Sequence, residues 1–204
     1  MWLVPPQRLV VFIDAQNFYH GARLAFFRES DWHIYGQFKP IELAELICSR
    51  APLGKTRLLE QVLVYTGRPD SRKEPTTYAA HMKQCATWER VGARIIHRTL
   101  RYPSDWTNSK AQEKGIDVAL AIDFVAFAID GKFDVGVIAS TDSDLKPALE
   151  FVHDRYRTVR CVEVAAWGSS VAPKRLSIPG ARIWCYWLDR SDYDSVADLT
   201  DYNV

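Results

Sequence analysis

Cysteine is scarce: Cys48, Cys85, Cys161 and Cys185 stand far apart in a chain of 204 residues, and no C-x-x-C pair joins any two of them. This spacing excludes a zinc knuckle and a disulfide framework, and leaves reduced, buried thiols. The five histidines, His20, His33, His81, His97 and His153, show neither H-E-x-x-H nor any other ligand spacing, so a His-rich transition-metal centre is not indicated. No apolar run approaches the roughly 20 residues of a membrane span, and Met1-Trp2-Leu3-Val4-Pro5-Pro6 lacks the basic and apolar regions of a signal peptide. A cytoplasmic protein without membrane contact is expected. Internal repeats, low-complexity tracts and interdomain linkers are also missing. One domain over residues 1–204 is therefore expected, with a core at about 8–188 and an acidic C-terminal tail at about 189–204.

What is present is the composition of a folded domain: 48% hydrophobic residues, 25% charged, with seven Trp, nine Tyr and nine Phe. That is too apolar for a disordered chain. The run Leu9-Val10-Val11-Phe12-Ile13 has no polar alternation, as a central parallel strand buried on both faces requires. Further strands are predicted at Leu58 to Tyr65, Arg94 to Leu100, Asp134 to Ala139, Thr158 to Ala165 and Arg182 to Leu188. Helices are predicted from about Asn17 to Arg28, from Pro40, from Pro75 to Arg90, from Asp117 to Ile129 and from Leu145 to Tyr156. The stretch Thr66-Gly67-Arg68-Pro69-Asp70 reads as a loop, and the polar segment Tyr102 to Gln112 as a mobile cover. Strands alternating with helices imply an α/β fold, a three-layer α/β/α sandwich around a mainly parallel sheet.

The net charge of +1 conceals an uneven distribution. Between Arg68 and Arg101 eight Lys or Arg face three acids, whereas Asp189 to Val204 carries five Asp and one Arg. A basic stretch beside an acidic crevice suits a polyanion, with Arg68, Arg72 and Lys73 holding phosphates. A solvated helix face accounts for the same charges equally well.

The acids themselves sit where strands end. Asp14 closes the first apolar run, and Asp142 and Asp144 follow Val135-Gly136-Val137-Ile138-Ala139. Ligands in open α/β sheets bind beyond the carboxyl ends of strands, so neighbouring placement of these two strands would gather their acids in one crevice. Carboxylates held together repel, raise one another's pKa or recruit a cation, and oxygen ligands suit Mg²⁺ or Mn²⁺. Plain helix capping is the competing role for Asp14, Ser143 and Asp144. Asp117 and Asp123 lie six residues apart, about 600° of helix, so both cannot face one site. Asp117 is the preferred inner acid. Asp123, on an otherwise apolar helix, needs a partner. Asn17 has three open roles: binding a phosphate, fixing Asp14, or capping.

Three motifs carry a resemblance. Val11-Phe12-Ile13-Asp14-Ala15-Gln16-Asn17, Lys114-Gly115-Ile116-Asp117-Val118-Ala119-Leu120-Ala121-Ile122-Asp123 and Ser140-Thr141-Asp142-Ser143-Asp144-Leu145 resemble, in order and spacing, the signatures of NYN domains of the PIN-like nuclease superfamily. The resemblance implies a Rossmann-like sandwich with the first and fourth strands adjacent. It also implies a ribonuclease site with Asp14, Asp117, Asp142 and Asp144 as catalytic acids. Thr141 departs from the usual Gly and Leu145 from the common Phe.

The expectation is hydrolysis of RNA phosphodiester bonds with one or two Mg²⁺ or Mn²⁺ ions on Asp14, Asp117 and Asp142. Asp144 would assist, Ser140, Thr141 and Asn17 would orient the phosphate, and no protein nucleophile would be needed. The rival is an RNA-binding or regulatory protein with little catalysis. A haloacid dehalogenase type of phosphatase fits poorly, because Gln16 stands where that chemistry needs a second Asp. The Trp-rich end leaves room for base stacking or a homodimer, with Trp184 and Trp187 expected on opposite faces of one strand, one of them in the core.

Overall fold

A computed structural model describes residues 5–52, 54–106, 108–168 and 174–204. The opening residues Met1 to Val4, read above as lacking a signal, fall outside them, as does Thr107 in the polar segment. The elements are β1 (Gln7–Asp14), α1 (Ala15–Phe26), α2 (Pro40–Ser49), β2 (Arg57–Arg68), α3 (Pro75–Arg90) and β3 (Arg94–Thr99). They continue with α4 (Ile116–Ile129), β4 (Val135–Ala139), a 3₁₀ turn (Ser143–Leu145), α5 (Lys146–Tyr156), β5 (Cys161–Trp167), β6 (Trp184–Leu188) and α6 (Arg190–Val196).

The six strands form one sheet in the order β3-β2-β1-β4-β5-β6 with every described neighbour parallel. Leu9 to Ile13 are all 0% exposed, because helices cover both faces of β1. Leu9, Val11 and Ile13 pack in one core with residues of α1, α2 and α6, while Val10 and Phe12 pack in the other with α4 and α5. The three-layer α/β sandwich expected from the sequence is thus present. Its strand order reverses between β1 and β4: the chain runs outward from β1 through β2 to β3, then returns to β4 and runs outward through β5 to β6. This reversal is the topological switch point at which such sheets bind ligands.

Two close approaches shape the sheet. A Cβ on Gly136 of β4 would lie 2.7 Å from Phe133 Cζ and 2.8 Å from Phe124 Cε2. Gly136→Ala is therefore expected to destabilise by about 1–3 kcal/mol through overpacking, measured by denaturant unfolding. In β2, a Cβ on Gly67 would lie 2.4 Å from Leu100 and 2.5 Å from the Glu113 carboxylate. The absence of that Cβ lets the strand run on to Arg68, paired as Thr66↔His97, Gly67↔Arg98 and Arg68↔Thr99. Thr66-Gly67-Arg68 is thus strand where a loop was expected; here glycine marks close approach rather than a chain turn.

Other expectations need revision. Helix α1 starts at Ala15, immediately after β1, because Asp14 caps it. Trp184 and Trp187 do face different ways, yet both are exposed, at 50% and 42%, since β6 is an edge strand. The ends of the polar segment are tied down: Arg101 and Gln112 exchange backbone hydrogen bonds, and Tyr102 bonds Glu74 and receives the Asp70 N–H. The acidic end is folded as well. Helix α6 carries a capping box of Asp189 and Asp192, and Asp192 pairs with Arg50. No helix among the described residues is long and apolar enough to cross a membrane.

Candidate active site

Asp14 stands at the carboxyl end of β1, 6% exposed. One oxygen accepts the Asn17 N–H at 3.1 Å and so caps α1; the other accepts the Ser140 hydroxyl at 3.1 Å. Ser140, which follows β4, is fully buried, and its oxygen also accepts the Asp142 N–H at 3.1 Å. One hydroxyl therefore joins the acid loops after β1 and β4. Asn17 adds a second link, since its side-chain oxygen accepts both the Thr141 N–H at 2.9 Å and the Thr141 hydroxyl at 3.2 Å. Of the three roles open to Asn17, the contacts describe a clamp between α1 and the β4 loop. Thr141 uses the hydroxyl that a Gly would lack to complete it. Leu145 is wholly buried.

Electrostatics show which acids converge. The Asp14 carboxyl is pushed up to about 6, chiefly by burial, against the hydrogen bonds from Asn17 and Ser140 and with the charges of Asp142 and Asp117 adding to the rise. No Lys or Arg is among the groups that offset it. Asp14, Asp117 and Asp142 therefore share one field across the β1–β4 crevice. Asp144 is exposed, gives its N–H to the Asp142 carboxylate, and borders the groove between α4 and α5 with Asp117. Arg68, Arg72 and Lys73 lie toward the β2–β3 side, where Arg68 bonds His97 and Thr99 and Lys73 sits over the Tyr102 ring.

Two acids sort out differently from the sequence pattern. Asp123 accepts the hydroxyl of buried Tyr65 at 2.9 Å, which supplies the partner its apolar helix demanded. Glu113 was not singled out in the sequence. Its carboxylate accepts the Gly67 N–H, and its pKa is pushed up to about 7 by burial first, with the charges of Asp14 and Asp117 contributing. Only its place just ahead of Lys114-Gly115-Ile116-Asp117 hinted at it.

Whether a cation fits depends on the donors. Among the described residues no three His, Cys, Asp or Glu side chains are arranged to hold a metal ion. The donor chemistry nevertheless suits a hard cation: Asp14, Asp117 and Asp142 are carboxylates, and Asp14 lies in uncompensated negative surroundings. Mg²⁺ needs only one or two carboxylates and keeps several waters. The donor types suit such an ion, although their arrangement among the described residues does not form a three-ligand site.

A sign follows for the metal-free protein. The unfolded Asp14 loses its proton near 3.8, the folded one near 6, so between those values the folded state holds the extra proton. Asp14 alone is expected to lower stability as pH rises through that window, by about 3 kcal/mol, and Glu113, raised from 4.5 to about 7, extends the fall to higher pH. Denaturant unfolding in chelator should show a shallower fall in Asp14→Asn than in the wild type, with the Glu113 part remaining.

A family model described as NYN domain matches residues 8–175. The chain belongs to the NYN domain family. That places it in the PIN-like nuclease superfamily and indicates a nuclease-like, RNA-related function, in a group of enzymes that generally depend on divalent metals. Among solved structures, the NYN chain is similar to a protein of unknown function from Vibrio parahaemolyticus, with a TM-score of 0.52 and 17% identity. The match covers 81% of this chain and 84% of that one, a likeness of fold alone. No curated protein matches it.

Proposed function

We propose that this NYN domain is a divalent-metal-dependent ribonuclease that hydrolyses phosphodiester bonds at the β1–β4 crevice. The observation that carries the reading is Asp14, a buried carboxylate beside Asp117 and Asp142 with no basic side chain offsetting its charge. Asp14, Asp117 and Asp142 would hold Mg²⁺ or Mn²⁺. When bound, such an ion lowers the pKa of a water and offsets charge developing on the phosphate. Ser140 keeps the Asp14 carboxylate and the Asp142 backbone in register, and Asn17 holds Thr141 beside them. Arg68, Arg72 and Lys73 would hold phosphates of the strand, and Asp144 would act from the rim. Water adds to phosphorus as the bond to the leaving ribose oxygen breaks, so the protein forms no covalent bond.

The second reading, an RNA-binding protein with little catalysis, is favoured by one observation: no three candidate ligand side chains among the described residues already form an ion site. One assay separates the two. A labelled single-stranded RNA is incubated with and without Mg²⁺ or Mn²⁺, and binding and cleavage are read on the same strand. Metal-dependent product that disappears in Asp14→Asn and Asp142→Asn supports the nuclease; binding without product supports the rival.

A further inference from the structure

Beside the acids lies a cavity of about 360 Å³ that the catalytic reading leaves unused. It opens next to Asp14, at Ala15, Gln16, Thr66 and Gly67, and reaches between α1, α3 and the folded C-terminal segment. Its size falls in the range of small-ligand pockets. Tyr19, Phe38, Trp88 and Tyr202 give it aromatic walls. Four carboxamides, Gln16, Gln37, Gln84 and Asn203, are among its polar groups. No Lys or Arg is among the described lining residues, while Glu113 is, and the lining His33 is engaged by Asp201 and Asn203, so the cavity offers a phosphate little. The ligand chemistry is therefore uncharged, flat and edged with donors and acceptors.

Two details sharpen this. The Gln84 Nε2 donates to Gln37 Oε1 at 3.3 Å, which leaves the Gln37 amide N–H groups as donors and the Gln84 oxygen as an acceptor. That is the pairing a carboxamide offers to the edge of a base. Trp88, 5% exposed, has an indole N–H with no hydrogen-bond partner. That N–H is sealed from solvent, so Trp88 offers the cavity its ring and not its donor. His81, also lining the cavity, has its pKa lowered to about 4 by burial and by His97 and Arg68, and so adds no charge at neutral pH.

We infer that this cavity receives one nucleobase of the RNA strand whose adjoining phosphate lies at the acid crevice. The inference rests on the ribonuclease reading for the strand, and on the cavity's own chemistry for the base. It makes the site selective for strands that can turn a base out, and so for unpaired RNA.

The test uses the Asp142→Asn protein in Mg²⁺, with fluorescence anisotropy on a labelled adenosine oligoribonucleotide and on a ribose-phosphate strand of equal length lacking bases. The base-bearing strand should bind about 5- to 100-fold more tightly. Filling the cavity with Ala80→Trp, from a half-buried position on α3, should bring the two strands to within about twofold of each other. Gln84→Met, which removes the carboxamide with little change of volume, gives the same readout should the larger side chain prevent folding. Equal binding of both strands, or a base preference that survives both substitutions, would overturn the pocket assignment and leave the nuclease reading standing. Failure of both strands to bind would overturn both readings. Free adenosine binding as tightly as the strand would overturn the strand as its occupant.

Discussion

Asp14→Asn is expected to lower metal-dependent RNA cleavage by about 10²- to 10³-fold or more, the loss typical of removing one preorganised electrostatic group from a reacting centre. The substitution is close to isosteric, and Asn caps helices as well as Asp does, so the start of α1 should hold. With the amide oxygen kept on the Asn17 N–H, the amide NH2 meets Ser140, whose hydroxyl oxygen can accept from it instead of donating. What disappears is a negative charge that burial and the neighbouring Asp142 and Asp117 make costly. In chelator at pH 8 the same variant should be more stable than the wild type, by up to about 3 kcal/mol. Added Mg²⁺ should stabilise the wild type and leave the variant nearly unchanged. Activity and stability moving in opposite directions would rule out misfolding as the cause of lost cleavage. Paired cleavage rates and thermal melts, each with and without metal, read both effects.

The largest stability effect is expected far from the crevice, at the opposite end of the sheet. Arg57 of β2 and Glu163 of β5 form an ion pair at 2.7 Å, each side chain 2% exposed. The Arg57 guanidinium reaches both Glu163 oxygens, and the Tyr186 hydroxyl donates to Glu163 at 2.7 Å. Glu163→Gln keeps the volume and leaves the Arg57 charge buried without a counter-ion. Loss of one partner of such a pair typically costs 3–5 kcal/mol, so a drop in melting temperature of about 10 °C is expected. Replacing Arg57, Glu163 and Tyr186 together by apolar residues of similar size should cost much less, because no charge is then stranded. A Glu163→Gln protein as stable as the wild type would show that the pair contributes specificity without stability. Cleavage per folded molecule should be unchanged, since neither residue reaches the β1–β4 crevice.

The contrast between these two places explains what the chain discloses before it folds. Leu9 to Ile13 announces a strand buried on both faces because every residue in the run is apolar, and Asp14 marks where that strand must end. Ser140 to Asp144 is legible for the same reason, as polar chemistry packed directly behind an apolar strand. Glu113 is not, because it sits in polar surroundings with no period, and becomes a half-buried acid only when β2 brings Gly67 against it. Asp123 looked unexplained for want of Tyr65, 58 residues earlier in sequence. Arg57 and Glu163 are 106 residues apart and share no local pattern, so only the strand order unites them. Trp184 misled because alternation along a strand names two faces without saying that an edge leaves both open. Periodicity reports burial within an element; it does not report which distant polar groups meet.

Manganese anomalous diffraction from crystals soaked in Mn²⁺ tests the central claim most directly. A peak at bonding distance, about 2.1 Å, from carboxylate oxygens among Asp14, Asp117 and Asp142 is the predicted result. Three carboxylates turned apart with no peak between them, or bridged by Lys and Arg side chains, would contradict it.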